Sequence, residues 1–355
     1  MFMSKVLTIL SFLTMLNINF LFPFSLTEPI KGIYLTSKSV STTEKFNELT
    51  SLIENTGLNT MVIDVKDDEG KITYDSEVPL VNEIQSDKNA SIKDLASVVQ
   101  TLKKKNIYTI ARIVVFKDPY LAKKKTEWAI KSKDRTLWKD KGGIMWVDPH
   151  RQEVWDYSIS IAQEVSKFGF DEVQWDYVRF PDYKNIDKEV SFASSPYQTK
   201  EAAIGGFLKY AYSKVKTPNL TISADVFGLT TSVKDDMGIG QKWETVTQHV
   251  DVISPMMYPS HYAKGTYGIA NPEASPYQLI KNGLQDAIAK NHEVESQGRP
   301  VAKIRPWYQD FDMRIPYRLK EVQDQIRAGN ELGINEYLLW NAGNTYTFSR
   351  NASKR

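Results

Sequence analysis

Residues 154–182, VWDYSISIAQEVSKFGFDEVQWDYVRFPD, contain a helical pattern followed directly by a strand pattern. In the first half, apolar residues recur every three or four positions, which is the period of a helix with one buried face. These residues are Val154, Tyr157, Ile161, Val165 and Phe168. In the second half, Asp171–Phe180 is rich in β-branched and aromatic residues and ends at a proline. The stretch predicts a helix that leads into a buried strand.

Seven more strand patterns occur along the chain, and helical patterns separate them. The eight predicted strands are Lys31–Ser37, Thr60–Lys66, Tyr108–Phe116, Asp171–Phe180, Leu220–Gly228, Val250–Tyr258, Lys303–Gln309 and Glu336–Asn341. Eight strands with helices between them predict an α/β fold, a single (β/α)₈ TIM barrel. An open doubly wound sheet is the competing fold, but it usually has a Gly-rich turn after its first strand, and Leu35–Val40 contains no glycine.

Four predicted loops are long, and all of them follow the C-terminal ends of strands. They are Asp67–Ala90, Lys117–Trp146, Pro181–Thr199 and Pro259–Pro276. Barrel enzymes have their active sites at this end, so we expect a groove for an extended substrate there. Insertions without a role are the alternative for any one of these loops. We see no linker, and we expect one barrel domain over residues 27–347 with a short basic tail at 348–355.

Composition excludes several classes of protein and site. Hydrophobic residues make up 41% and charged residues 25% of the 355 residues, as in a soluble globular protein. The formal charge of +2 does not predict a nucleic-acid partner. With no cysteine and only four histidines, we expect no metal site and no cofactor. The aromatic content of 12% suits a protein that stacks rings on sugars.

The N-terminus has the pattern of a targeting segment. Residues 1–26 contain one charge, Lys5, followed by the apolar run Val6–Phe24. This pattern predicts a signal peptide, or a membrane anchor over residues 6–24, because no small-residue cleavage pattern precedes Thr27. Either form would place the folded part outside the cytoplasmic membrane, secreted or anchored. A buried N-terminal helix is the alternative.

Two carboxylates are predicted near the ends of neighbouring strands. Asp176 lies close to the end of the fourth predicted strand, and Asp225 has the equivalent position on the fifth. Glycoside cleavage requires one acid that protonates the leaving oxygen and a second carboxylate that attacks the sugar or activates water. We therefore predict Asp176 and Asp225 as catalytic residues. Arg179 is expected to pair with Asp176 and keep it ionised, although such a pair could also be purely structural.

Other polar residues compete for these roles or support them. A strand points every second side chain to the same side, so Asp64, Lys66 and Asp68 could all face the cleft. One of these two acids could then be the proton donor in place of Asp225. A solvated acidic turn is the alternative for this segment. Arg112 on the third predicted strand should face the cleft or pair with an acid. Asp148 is predicted to cap a helix that begins at Pro149.

The last three predicted strands end in aromatic and amide side chains that suit sugar binding. Aromatic rings can stack on the apolar faces of pyranose rings, and amide or imidazole groups can hydrogen-bond hydroxyl groups. Together with Asp64, Asp68, Arg112 and Arg179, the predicted substrate-binding residues are Tyr258, His261, Trp307, Gln309, Trp340 and Asn341. A single aromatic residue is more often part of a core.

Several motifs resemble those of one protein family. They are KGIYLTS at 31–37, MVIDVKDDEG at 61–70, ARIVVFKDP at 111–119, WVDP at 146–149, FDEVQWDYVRFPD at 170–182, SADVFG at 223–228 and DVISPMMYPSHY at 251–262. The chain resembles a bacterial family of glycoside-hydrolase-like TIM barrels, distantly similar to the α-amylase and related glycosidase groups. The resemblance implies a TIM barrel, hydrolysis of glycosidic bonds and a catalytic role for Asp176. It supports the role of Asp225 less directly.

Three functions are compatible with the sequence. The first is an exported glycoside hydrolase that acts on a surface or extracellular polysaccharide or oligosaccharide. The second is a TIM barrel of the same shape that binds glycans without cleaving them. The third is a metal-dependent hydrolase that uses the acids of Asp64–Glu69 with His261. Composition leaves the oligomeric state open.

Overall fold

The computed structural model describes residues 28–183 and 185–348. Its main sheet contains eight parallel strands: β1 Lys31–Leu35, β2 Thr60–Lys66, β3 Tyr108–Val114, β4 Glu172–Asp176, β5 Thr221–Phe227, β6 Val252–Met257, β7 Lys303–Ile304 and Trp307–Gln309, and β8 Tyr337–Trp340. Each strand pairs in parallel with the next, and β8 pairs with β1. The sheet is therefore a closed barrel, and the predicted (β/α)₈ fold is confirmed.

Helices occupy the connections between the strands. Their bounds are Ser37–Ser41, Thr43–Glu54, Pro79–Ile84, Leu95–Lys104, Pro119–Lys124, Gln152–Lys167, Ile186–Glu189, Lys200–Val215, Trp243–Val246, Pro276–Ser296 and Leu319–Asn330. The longer ones bury one face against the barrel, as the period of their apolar residues predicts. Within the described residues, no helix combines the length and the apolarity that crossing a membrane requires.

Asp148 does not cap a helix, and this part of the prediction was wrong. The helix begins three residues later than expected, at Gln152. The Asp148 carboxylate instead accepts hydrogen bonds from the backbone amides of His150 (3.0 Å) and Ala193 (2.6 Å). Asp148 thus fastens the loop after β3 to the loop after β4, because its side chain reaches across to Ala193.

The described residues of the long loops include short elements of secondary structure at the C-terminal end of the barrel. A small antiparallel sheet joins Lys131–Ser132, after β3, to Val190–Ser191, after β4. Short 3₁₀ turns follow β5 at Gly228–Thr231 and β6 at Pro259–His261, Thr266–Gly268 and Pro272–Ala274. These connections form the walls around the open end of the barrel.

Side chains on β4 alternate between the barrel interior and the helical layer. Trp175 packs outward, with its ring centroid 5.4 Å from that of Phe207 in the helix Lys200–Val215. By the two-residue period of a strand, Glu172, Gln174 and Asp176 face the interior. The inward side of this strand is therefore polar throughout its length, which is costly to bury unless the groups are paired.

Glu172 is paired at the bottom of the barrel with Arg305. Arg305 Nη1 donates to Glu172 Oε2 at 3.0 Å, and Arg305 Nη2 donates to Glu172 Oε1. The hydroxyl groups of Tyr108, at 3.2 Å, and Ser223 donate to the same carboxylate. Both charged side chains are fully buried. We call these four residues the barrel floor.

Lys66 does not share the interior side with Asp64, and this part of the prediction was wrong. The pairing of β2 with β3 shifts register between the two residues, so the strict alternation ends there. Lys66 Nζ lies 5.8 Å from the ring centroid of Tyr157 on the helix Gln152–Lys167 and pairs with Asp118 at 2.9 Å. Lys66 therefore supports the helical layer.

The predicted signal or anchor segment at residues 1–26 lies outside the described residues, as do residues 349–355 of the tail.

Candidate active site

A cavity of about 510 Å³ opens at the C-terminal end of the barrel. Strands β3 to β8 and the loops after them supply its walls. The lining residues are Arg112, Asp176, Tyr177, Arg179, Asp182, Asp225, Phe227, Gly228, Leu229, Met237, Met256, Tyr258, His261, Tyr262, Trp307 and Trp340. Eight of the twelve site residues predicted from the sequence are among them. Asp64, Asp68, Gln309 and Asn341 are not.

Asp176 is held by hydrogen bonds to both of its carboxylate oxygens. Arg112 Nε donates to Asp176 Oδ2 at 2.9 Å, and Arg112 Nη2 donates to the same oxygen. The backbone amide of Tyr177 donates to Asp176 Oδ1 at 2.6 Å. An adjacent guanidinium stabilises the ionised form of a carboxyl group. The cation that pairs with Asp176 is therefore Arg112, from the neighbouring strand.

Asp225 lies beside Asp176 in a different environment. Gln174 and Trp175 of β4 align with Ser223 and Ala224 of β5, so the two acids are the next pair in this register. The indole Nε1 of Trp307 donates to Asp225 Oδ1 at 2.8 Å. No described residue forms a hydrogen bond with Asp225 Oδ2, and none forms an ion pair with Asp225.

Burial determines the protonation of Asp225. Removal from water, followed by repulsion from the Asp176 carboxylate, raises the pKa of Asp225 well above its ordinary value. The hydrogen bond from Trp307 opposes this rise but does not cancel it. Two neighbouring acids thus have different environments: Asp176 forms an ion pair with Arg112, whereas Asp225 has no cationic partner among the described residues and has a raised pKa. Such a division matches what acid and base catalysis require.

Asp64 lies behind Arg112. Arg112 Nη1 donates to Asp64 Oδ1 at 2.6 Å, and the hydroxyl group of Tyr34 donates to Asp64 Oδ2. Burial raises the pKa of Asp64, and Arg112 partly offsets that effect. Arg112 is thus shared between two carboxylates, so Asp64 orients Arg112 and does not reach the cavity.

A stacked aromatic pair covers Arg112. The ring centroids of Tyr34 and Trp340 are 4.1 Å apart, and the guanidinium carbon of Arg112 lies 5.6 and 5.4 Å from them. Trp340 also meets Trp307 edge to face at 5.6 Å. These contacts fix the Arg112 side chain and present Trp340 to the cavity. Tyr34 was not predicted as a site residue. It lies two positions after Gly32 in the first motif, so both residues are expected to face the same side of the strand.

Arg179 does not pair with Asp176, so the predicted ion pair was wrong. Its guanidinium carbon lies 4.5 Å from the ring centroid of Phe227, 4.9 Å from that of Tyr177 and 5.0 Å from that of Trp146. Its Nη1 donates to the carbonyl oxygen of Phe180 at 3.0 Å. The turn after β4 directs Arg179 away from Asp176 because Tyr177 has a left-handed backbone conformation, with φ of 49°.

Tyr258 and His261 form the wall that follows β6. Burial, and then the nearby carboxylates of Asp225 and Asp176, raise the pKa of Tyr258 well above its ordinary value. His261 is exposed at the rim, and its Nδ1 lies 2.9 Å from the hydroxyl oxygen of Ser260. Partial removal of the ring from water by the cavity wall lowers the pKa of His261, and the charge of Arg314 adds to this effect. Both rings pack edge to face against Phe311.

Gln309 and Asn341 hold loops and do not line the cavity. Gln309 Oε1 accepts from the amide of Ser260 at 3.0 Å, and its Nε2 donates to the carbonyl of Phe311 at 3.0 Å. Asn341 Nδ2 donates to the carbonyl of Thr345 at 2.7 Å, and its Oδ1 accepts from the amide of Gly343. The side-chain amides of Gln309 and Asn341 are therefore already hydrogen-bonded to backbone groups, so we do not expect either residue to contact a substrate.

Asp68 is half exposed and lies outside the cavity lining. Its carboxylate accepts a hydrogen bond from Lys117 Nζ at 2.7 Å, which lowers the pKa of Asp68 although partial burial opposes this. The same Lys117 Nζ lies 4.8 Å from the ring centroid of Tyr177, a residue of the cavity wall. Asp68 thus contacts the wall through Lys117.

The acids of the second strand do not form a metal site with His261. Across residues 28–183 and 185–348, no three His, Asp or Glu side chains are grouped closely enough to hold a metal ion. Asp64 is committed to Arg112 and Tyr34. Asp67 Oδ1 accepts hydrogen bonds from the amides of Glu69 and Lys71. The acidic segment after β2 is therefore a turn that is stabilised by hydrogen bonds between its own backbone amides and the Asp67 carboxylate.

Comparisons with known proteins agree with the barrel fold. The model of a family described as "Putative glycosyl hydrolase domain" matches residues 32–346. A solved hypothetical protein from Ruminiclostridium thermocellum ATCC 27405 is 36% identical, with 58% of this chain and 98% of that chain covered and a TM-score of 0.50. No curated protein matches the chain.

Two more distant solved structures share the fold. The PgaB (BpsB) glycoside hydrolase domain from Bordetella bronchiseptica is 12% identical, covers 92% of this chain and 97% of its own, and has a TM-score of 0.64. The spore cortex-lytic enzyme SleL from Bacillus cereus is 13% identical, covers 91% of this chain and 73% of its own, and has a TM-score of 0.51. At these identities the similarity concerns the architecture alone.

Proposed function

Because the chain belongs to this family of glycosyl hydrolase domains, we propose that it hydrolyses glycosidic bonds in a polysaccharide at the cell surface or outside the cell. The sequence of residues 1–26 supports export, since it has the pattern of a signal peptide or anchor. The cavity at the C-terminal end of the barrel is the site of the reaction. Its aromatic walls, which include Trp340, Trp307 and Tyr258, suit the apolar faces of sugar rings.

The observation that supports this function most strongly is the unequal pair of acids. Asp225 has a raised pKa and an oxygen without a hydrogen-bond partner among the described residues, so it suits a proton donor. Asp176 is bonded to Arg112 through Oδ2 and to a backbone amide through Oδ1. Glycoside cleavage uses two such acids in different environments, one as the proton donor and one as the carboxylate.

In the proposed reaction, the proton of Asp225 moves to the glycosidic oxygen as the bond from that oxygen to the anomeric carbon breaks. Asp176 supplies the electron pair on the other side of the sugar. It either attacks the anomeric carbon directly or takes a proton from the water that attacks it. Arg112 orients the Asp176 carboxylate through two hydrogen bonds to Oδ2, and Asp64 with Tyr34 keeps Arg112 in place. The anomeric configuration of the product distinguishes the two forms of the reaction.

Reducing-end release tests the proposal. The full-length chain is incubated with a panel of bacterial surface and plant polysaccharides, beside Asp176→Asn and Asp225→Asn. Asp156→Asn, on the exposed face of the helix Gln152–Lys167, is the control for an acid-to-amide change outside the site. We expect release from at least one polymer by the unaltered chain and the control, and its loss in Asp176→Asn.

Other outcomes would favour the other two functions. Binding to a polymer without release, retained in Asp176→Asn, would identify a barrel that binds glycans without cleaving them. Release that a chelator abolishes would contradict a mechanism that depends only on carboxylates and would favour a metal-dependent hydrolase.

A further inference from the structure

Arg179 lies in the wall of the cavity, three residues after Asp176. Its side chain is more than nine-tenths buried, at 8% exposure. The turn after β4 directs it toward the part of the cavity that Phe227 and Tyr177 line. Arg179 is therefore a buried cation that borders the same space as the two catalytic acids.

Arg179 differs from the other two buried arginines that the structure describes in the interior of the barrel. Arg305 is paired with Glu172, and Arg112 is paired with Asp64 and Asp176. Arg179 forms no ion pair with any residue in 28–183 or 185–348. Its one hydrogen bond to those residues joins Nη1 to the carbonyl oxygen of Phe180. Its Nε and Nη2 therefore donate to none of them.

The rings around Arg179 compensate only part of the cost of its burial. Cation–π contact with Phe227, Tyr177 and Trp146 stabilises a guanidinium group and requires no anion. Burial nevertheless lowers the pKa of Arg179, and the nearby charges of Tyr177, Asp176 and Asp182 only oppose that effect. A buried cation of this kind is strongly stabilised when an anion reaches it.

We propose that Arg179 binds an anionic group of the substrate, so that the polysaccharide cleaved here is an acidic one. This inference rests on the proposed function, because it takes the ligand of the cavity to be a sugar chain. The free N–H groups of a guanidinium form a planar fork that suits two oxygens of one anion. A uronic acid carboxylate and a sulfate or phosphate ester share this chemistry, and the experiment separates these sources.

Asp182 provides a second way to test the same site. Asp182 is exposed and lines the cavity. Its charge is close enough to oppose the lowering of the Arg179 pKa, but Asp182 forms no ion pair with Arg179. A carboxylate in this position should repel an arriving anion. Asp182→Asn should therefore strengthen the binding of an acidic chain without disturbing the packing of the Arg179 side chain between its rings.

The experiment compares matched polymers. Binding of the full-length chain is measured by calorimetry with pectate, alginate and hyaluronate beside their carboxyl-reduced forms, and with sulfated and phosphorylated polysaccharides beside their desulfated and dephosphorylated forms. We expect at least one acidic polymer to bind about tenfold more tightly than its neutral form, the difference that a hydrogen-bonded ion pair supplies. The pair that shows the difference identifies the anion.

Variants then assign the difference to Arg179. Arg179→Gln should remove the preference by weakening binding of the acidic polymer far more than binding of the neutral one, Arg179→Lys should retain part of the preference, and Asp182→Asn should increase it. Thermal unfolding of each variant checks the fold. If Arg179→Gln does not fold, Asp182→Asn still tests the proposal. An unchanged preference for the acidic polymer in Asp182→Asn would contradict it. Equal binding of acidic and neutral forms, or no binding to any polymer, would also overturn it.

Failure of this inference and failure of the proposed function give different results. A preference for acidic chains that depends on Arg179, without release of reducing ends, would retain the anion site and reject the hydrolase. Release that Asp176→Asn abolishes, but that Arg179→Gln leaves unchanged on acidic and neutral polymers alike, would retain the hydrolase and reject the anion site.

Discussion

The barrel floor and the cavity end of the barrel, which we call the mouth and which contains Arg112, Asp176 and Asp225, have the same kinds of side chain in different states of pairing. At the floor, Glu172 and Arg305 meet one to one, and hydroxyl groups satisfy the remaining capacity of the carboxylate. At the mouth, one cation, Arg112, serves two acids, and Asp225 has no cation within ion-pair distance among the described residues. A buried carboxylate that has its own cation fixes a structure, whereas one without a cation can exchange protons and bind a ligand.

The largest effect should come from the mouth. Asp176→Asn removes the carboxylate that we propose as nucleophile or base, and we expect kcat/KM to fall by about 10³-fold or more, roughly 4 kcal/mol of transition-state stabilisation. The free energy of unfolding should fall by only about 1–3 kcal/mol, because Asn has one accepting oxygen where Asp176 has two and either Arg112 or the Tyr177 amide loses its acceptor. Steady-state rates and denaturant unfolding of the same samples check both statements. A fall in rate that follows a loss of fold would contradict the catalytic role.

The floor should show the opposite behaviour. Arg305→Met leaves Glu172 buried without its cation, so we expect the free energy of unfolding to fall by about 3–5 kcal/mol. The double change Glu172→Gln with Arg305→Met should recover a large part of this loss. Denaturant unfolding measures both. If the single variant were as stable as the unaltered chain, the floor would not be the structural pair that its contacts indicate.

Asp225 should contribute to function at a cost in stability. Because its pKa is raised in the folded state, the folded protein binds a proton that the unfolded chain releases above its ordinary pKa. Stability therefore declines as pH rises through the interval between the two values. Asp225→Asn should raise the free energy of unfolding by about 1–3 kcal/mol at neutral pH and have a smaller effect at about pH 4. Unfolding curves at both pH values provide the comparison, and a variant that is less stable at neutral pH would contradict it.

The smallest predicted effect belongs to Asp64. It acts through Arg112, so Asp64→Asn should lower kcat/KM by no more than about tenfold. Removing this second carboxylate leaves the charge of Arg112 to Asp176 alone. Because Asp64 does not reach the cavity, the loss should appear in kcat and leave KM unchanged, a split that a purely structural role for Asp64 would not produce. Steady-state kinetics of the variant beside the unaltered chain measure both constants.

The eight strands and the location of the site could be predicted from the sequence, because burial imposes periods of two and 3.6 residues and barrel sites lie at one end. The partner of Asp176 could not. Arg179 is near it in sequence, but the parallel register brings Arg112 beside it and the left-handed turn at Tyr177 sends Arg179 elsewhere. Proximity along the chain is a poor guide where a strand ends.

Side-chain direction was the other limit. Gln309 and Asn341 lie at strand ends as predicted, but nearby backbone groups bind their amides and hold them away from the cavity. Lys66 points away from the barrel interior because the pairing of β2 with β3 shifts register between Asp64 and Lys66. Trp307 was predicted to contact substrate, and its hydrogen bond to Asp225 depends on packing between β5 and β7 that no local pattern encodes.

The pH dependence of kcat/KM, in the unaltered chain and in Asp225→Asn, tests the central claim that Asp225 is the proton donor. The unaltered chain should lose activity as pH rises through the raised pKa of Asp225 and that residue gives up its proton. In Asp225→Asn, whose residual activity does not depend on that proton, this high-pH limb should disappear. A variant that keeps the high-pH limb would show that another group donates the proton.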